Sequence, residues 1–160
     1  ESQGRISFEV LAKMAELGAA ALCEVIDALE ENVYSLIVQD NHKATFAPKL
    51  IKELGLISWD KPAKEIHNLV RGLLPWPTAY THHQGKMLKI LETQLVSHSF
   101  REEETQYPAG TVVSVEKEGF VVKAGKGHVL IKKVHPESSK PMDAKSFAAG
   151  HRLVRGVKIG

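Results

Sequence analysis

The chain has a single cysteine, Cys23, in 160 residues, and one cysteine can make neither an internal disulfide nor a cysteine-rich metal site. Aromatic residues are scarce, at 6%. No apolar run approaches the roughly 20 residues that a membrane-spanning helix needs, and the start lacks the charged and apolar regions of a secretory signal. A disulfide-stapled scaffold and a helical membrane protein are thereby set aside, and the expected location is the cytoplasm. Charge of one sign is also missing, since 21 basic residues against 19 acidic ones leave a net charge of +2. What is present, 43% hydrophobic and 25% charged residues, is the composition of a soluble globular protein, long enough for one ordinary domain or a small domain plus part of another. The first residue is Glu1, not methionine, and the expectation is a segment of something longer.

The small net charge hides a sorting along the chain. Residues 1–32 carry two basic and seven acidic side chains, net −5, and residues 33–110 are net +1. Residues 111–160 carry ten basic against four acidic, net +6. A cationic C-terminal stretch is the electrostatic footprint of a polyanion-facing surface.

Local patterning gives the organisation. After Ser7, Leu11, Met14, Ala15, Leu22, Val25, Ile26 and Leu29 recur at helical spacing, which predicts an amphipathic helix over about 8–31 that buries this stripe in a core. VYSLIVQ (33–39) reads as a strand, and ATFAPKLIKELGLISW (44–59) as a linker. Asp60 is placed to cap a second helix with Pro62 in its first turn, and Ala63, Ile66, Leu69, Val70 and Leu73 form its stripe. LLPWPTAYT (73–81) ends that helix: Pro75 cannot continue it, the residues before the two prolines are pushed to extended geometry, and Trp76 is expected as an apolar plug under the corner. Five short strands follow without helices between them. Turns at Gln84-Gly85, Glu118-Gly119 and Gly125-Lys126-Gly127 separate them, with a polar loop at 99–110. A last short helix runs from an Asp143 cap to a Gly150 stop. The fold class is α+β: two amphipathic helices, then a small antiparallel barrel or sandwich.

No active site can be read from these residues. His82 and His83 are adjacent on a strand and point to opposite faces, so they do not chelate one ion. Gly125-Lys126-Gly127 lacks the phosphate-loop pattern and sits between strands. His67 falls at the margin of an apolar stripe, as a half-buried structural residue does. Cys23 has no cationic neighbour in sequence to activate it. Lys123, Lys126, Lys132, Lys133, Lys140, Arg152 and Arg155 remain, on strands and turns of a β unit of the kind that holds nucleic acid by its backbone, or simply as a solvated face.

Five segments carry a resemblance: ATFAPKL (44–50), ISWDKPAKEIHNLVRGLLPWPTAYT (57–81), GKMLKI (85–90), EGFVVKAGKG (118–127) and KPMDAKSFAAGHRL (140–153). In this order they resemble the C-terminal part of the methionyl-tRNA formyltransferases. One departure is Pro108-Ala109-Gly110-Thr111, one residue longer than the family's Pro-Gly-Thr. The resemblance implies that residues 1–43 are the tail of a Rossmann-like formyltransferase domain, 44–57 an interdomain linker and 58–160 an OB-like β-barrel. It implies transfer of the formyl group of 10-formyltetrahydrofolate to the amino group of methionyl initiator tRNA, with this segment supplying tRNA contacts. The catalytic Asn, His and Asp and the folate pocket of the family lie upstream of anything aligned, so no catalytic, cofactor-binding or metal residue is carried over. Lys49 and Lys52 on the linker, with Lys126, Lys132, Lys133, Lys140, Arg152 and Arg155, are the expected phosphate contacts. The partners implied are the initiator tRNA and an N-terminal catalytic domain. Left open are a sugar-nucleotide N-formyltransferase, a formyltetrahydrofolate-hydrolysing enzyme, and a non-catalytic interaction module.

Overall fold

The helical spacing of the first segment is realised as α1, Ser7–Glu30, in a computed structural model that describes residues 7–96 and 106–160. The chain divides into two units, Glu1–Leu50 and Ile51–Gly160. In the first, the expected burial of the α1 stripe is not found: no residue of α1 is buried, and Leu11, Met14, Leu22, Val25, Ile26 and Leu29 are all exposed. VYSLIVQ is not a strand either. It forms no regular element, with Ile37 and Val38 more than nine-tenths exposed. A strand exists by pairing, and no described segment pairs with this one. A single 3₁₀ turn, Asn41–Lys43, follows, capped by the Asp40 carboxylate, which accepts the His42 N–H at 3.0 Å.

The second unit begins with a 3₁₀ turn, Lys52–Gly55, inside the expected linker. Its exit is bound into the fold: the Ile57 N–H donates to the Tyr80 carbonyl at 2.8 Å, and Ile57 and Trp59 are buried. Helix α2 is Ala63–Gly72, and Ala63, Ile66 and Val70 on it and Leu73 just after it are buried, as the stripe predicts. Its N-cap is Pro62, not Asp60, and no side chain caps it. The first turn is tied instead through the backbone, the Ala63 N–H donating to the Lys126 carbonyl at 2.8 Å. The helix ends before Pro75 as expected. Trp76 is nevertheless 54% exposed; the plug of this region is Trp59, whose Nε1 donates to Thr81 Oγ1 at 3.0 Å. An indole is buried where its one N–H finds an acceptor, and Trp59 has one.

The strands are β1 (Tyr80–His83), β2 (Lys86–Leu95), β3 (Val112–Glu116), β4 (Gly119–Lys123), β5 (His128–Pro136) and a short β6 (Met142–Asp143) that the periodicity did not reveal. All pair antiparallel, in the order β1-β2-β5-β4-β3, with β6 also on β5. The sheet is thus open between β1 and β3, and the expected OB-like barrel is not closed. The β1–β2 hairpin turns at Gln84-Gly85, where φ is positive at both residues, 52° and 75°, the geometry that matches strand twist. The β4–β5 turn is built for proximity: a Cβ on Gly125 would lie 1.9 Å from the Asp60 carbonyl oxygen, so only glycine fits.

One face of the sheet packs under α2 and the last helix, α3 (Ala144–Gly150), with Phe120, Val122, Ile131, Leu88, Ile90 and Phe147 at its centre. Alternation sends Val121 and Leu130 to the other face, where they cluster with Val113 under Val96 and Tyr107. This second cluster explains why β4 is a continuous apolar run. Asp143 is the N-cap of α3 as expected but its side chain makes no cap hydrogen bond, and the helix ends at Gly150, with His151 as its C-cap. The expected loop at 99–110 falls largely on residues 97–105, outside those described.

Candidate nucleic-acid interface

The eight expected cations divide by location. Lys49 lies in the first unit, exposed and in no regular element. Lys52 opens the 3₁₀ turn of the second unit and is exposed. Lys126 sits at the tip of the β4–β5 turn, where its backbone is occupied with α2 and its side chain is left to solvent. Lys132 and Lys133 are neighbours on β5 between the core residues Ile131 and Val134, where the pairing with β2 shifts register. Lys140 is exposed between β5 and β6.

Their electrostatics differ. Lys132 Nζ stands 3.0 Å from Glu118 Oε2 and 3.6 Å from Glu92 Oε1, and the hydrogen bond and charge of Glu118, followed by Glu92, hold its ammonium pKa above the usual lysine value. Two carboxylates already answer that charge. Arg155 is placed by an aromatic ring, its guanidinium carbon lying 5.7 Å from the Tyr107 centroid, a contact that costs the arginine none of its charge.

Arg152 and Arg155 are the pair brought together. With Lys145, which sequence reasoning missed, they border a groove of about 670 Å³ whose floor includes Ala148, Leu153 and Val154. No acidic residue lines it. Lys145 is in the first turn of α3, and Arg152 follows the helix end with φ 52°. Arg152 thus reaches the same rim as Lys145, seven residues earlier, although the helix ends at Gly150 before it. An apolar floor between fixed cations can hold a sugar-phosphate backbone, with the phosphates on the rim and the sugars over aliphatic carbon.

Of the other polar residues singled out, His67 is structural. His67 Nδ1 lies 2.8 Å from Thr93 Oγ1, tying α2 to β2, and burial, then the nearby Arg71 charge, lowers its pKa. Cys23 is exposed on α1. Among the described residues no group of three or more His, Cys, Asp or Glu side chains could hold a metal ion, and no helix is long and apolar enough to cross a membrane.

Residues 49–152 match the family described as formyl transferase, C-terminal domain. The methionyl-tRNA formyltransferase of Acetivibrio thermocellus is 38% identical over 148 residues, 92% of this chain and 46% of that protein. That of Moorella thermoacetica is 38% identical over 152 residues, 95% of this chain and 47% of that protein. The chain thus spans under half the length of the curated relatives it matches. Among solved structures, a HypX variant from Aquifex aeolicus superposes with a TM-score of 0.62 over 90% of this chain and 26% of its own, at 15% identity. HypX in complex with tetrahydrofolic acid gives 0.54 over 79% and 22%, at 18% identity. At such identity the likeness concerns the fold alone.

Proposed function

Because the chain belongs to the formyl transferase C-terminal domain family, we propose that it is the tRNA-holding part of a methionyl-tRNA formyltransferase, the enzyme that moves a formyl group from 10-formyltetrahydrofolate to methionyl initiator tRNA in the cytoplasm. The observation that carries the tRNA reading is the groove with an apolar floor that Lys145, Arg152 and Arg155 border. Cations on a rigid frame bind a nucleic-acid backbone by displacing its counterions, with little regard for sequence. Lys126, Lys133 and Lys140 are further exposed cations of the second unit, Lys49 and Lys52 are those of the linker, and Lys132 contributes least because Glu118 and Glu92 hold it.

Catalysis, the folate co-substrate and discrimination of the initiator belong on this reading to an N-terminal catalytic domain. The exposed apolar stripe of α1 supports such a domain as its partner, since a long amphipathic helix in water wants a surface for that face. By itself the chain transfers no formyl group. The test is binding to formylatable initiator tRNA and to an elongator tRNA at two salt concentrations. Salt-sensitive binding with little discrimination is expected; no binding at low salt would demote the cationic surface to a solvated face and favour a sugar-nucleotide formyltransferase.

A further inference from the structure

Away from the cationic groove, the β1–β2 hairpin, the end of β5 and α3 enclose a pocket of about 150 Å³. Its inner wall is His83, only 6% exposed, and neither ring nitrogen has a hydrogen-bond partner of good geometry, the His151 backbone giving only a loose contact. Buried polar atoms are nearly always paired, because an unpaired one keeps the full cost of its lost hydration. The surrounding rings do not meet that need. Phe147 lies edge-on to His83 at 5.8 Å and 73°, and His151 at 6.4 Å and 84°. His151 is itself held flat by stacking on Phe147, with centroids 4.3 Å apart and planes at 28°.

The charges around the pocket say what kind of group it suits. Lys86 and Glu137 stand on the rim with opposite signs, Glu137 fixed by accepting the Met87 N–H at 3.0 Å, so an ion of either sign gains little. Burial, then the charge that His151 can carry, hold His83 below the usual imidazole pKa, the nearby His151 backbone opposing them. The ring is therefore neutral near pH 7 and presents one N–H donor and one acceptor nitrogen. A volume of this order holds a single six-membered ring. A neutral, planar, one-ring group with a donor and an acceptor on its edge meets all of these conditions.

We propose that this pocket receives one unstacked pyrimidine base, hydrogen-bonded through its edge to His83 and lying against the His151 ring. Proteins that read single-stranded RNA splay bases out in this way, stacking them on aromatic or imidazole planes and bonding their edges. The RNA origin of the base rests on the tRNA-holding reading; the pocket's chemistry does not. The test titrates cytidine and uridine monophosphates into the full chain with ¹⁵N-labelled imidazoles, beside adenosine monophosphate and inorganic phosphate. The expected result is a saturable shift of the His83 ring nitrogens, at least tenfold tighter for the pyrimidines than for the purine, lost in His83→Phe and weakened several-fold in His151→Ala. No shift at millimolar pyrimidine nucleotide, or the same shift from phosphate or the purine, overturns the proposal without recourse to any variant. Initiator tRNA binding measured on the same samples separates the two readings: tRNA bound with normal salt dependence beside silent imidazoles removes the pocket alone, while a responsive pocket on a chain that ignores tRNA removes the tRNA reading alone.

Discussion

Helices α1 and α2 share a sequence pattern and differ in everything the pattern leaves open. Both repeat aliphatic residues at helical spacing, yet the 24 residues of α1 bury nothing, whereas the 10 residues of α2 seat Ala63, Ile66 and Val70 in a core. Periodicity defines a face; only another element supplies its cover. The stability of α2 comes from packing; α1 has no buried residue, and Ala15, Ala19, Ala20, Ala21 and its leucines are strong helix formers.

The largest expected contrast comes from truncating one residue in each region. Phe120→Ala removes a fully buried ring from the sheet and is expected to cost about 3–5 kcal/mol in urea unfolding, whereas Leu22→Ala on α1 costs under about 0.5 kcal/mol. Equal costs would mean that α1 is covered in solution. Next in size, Lys145→Gln, Arg152→Gln and Arg155→Gln together should lower the salt slope of tRNA binding by about 1 for each charge, with Lys132→Gln alone changing it least. Isothermal titration across a salt series reads this directly. Trp59→Phe removes the donor to Thr81 and should cost about 1 kcal/mol, with Trp76→Phe close to neutral, a difference visible in paired thermal melts.

The smallest effect concerns pH. His67 and His83 are both held below 6.5 in the folded chain, so on acidification the unfolded state takes up their protons first. Their contribution is fully present above pH 6.5 and is lost as pH falls toward the folded values. His83→Phe should flatten this slope; an unchanged slope would show that His83 titrates alike in the folded and unfolded chain.

How much of this was readable in advance follows the reach of each signal. Gln84-Gly85 and Gly125-Lys126-Gly127 were legible because turn chemistry is local, and α2 was legible because its stripe and Pro75 lie in one stretch of chain. The choice of Trp59 over Trp76 as the buried indole was not, since it depends on Thr81 offering an oxygen 22 residues away. VYSLIVQ has strand composition without a pairing partner, and a two-residue β6 has too little pattern to register. Six of the expected cations, Lys52, Lys126, Lys133, Lys140, Arg152 and Arg155, stand exposed in the second unit, but the groove needed Lys145 from the far end of α3. The alternation that separates His82 from His83 marked one of them for burial; that its ring would lack partners depends on α3, which sequence alone does not place.

Strand β5 is paired on both sides, with β2 and with β4, and also takes β6, though it follows the other long strands in the chain. A ribosome making this protein therefore releases two hairpins, β1–β2 and β3–β4, that have no means of joining until residues 128–136 emerge. Through that interval β2 and β4 offer unpaired edges and apolar faces to whatever is near, which is when a sheet protein is most open to misassociation and to chaperones. Any nascent chain cut short before His128 leaves the two hairpins without the strand that makes them one sheet.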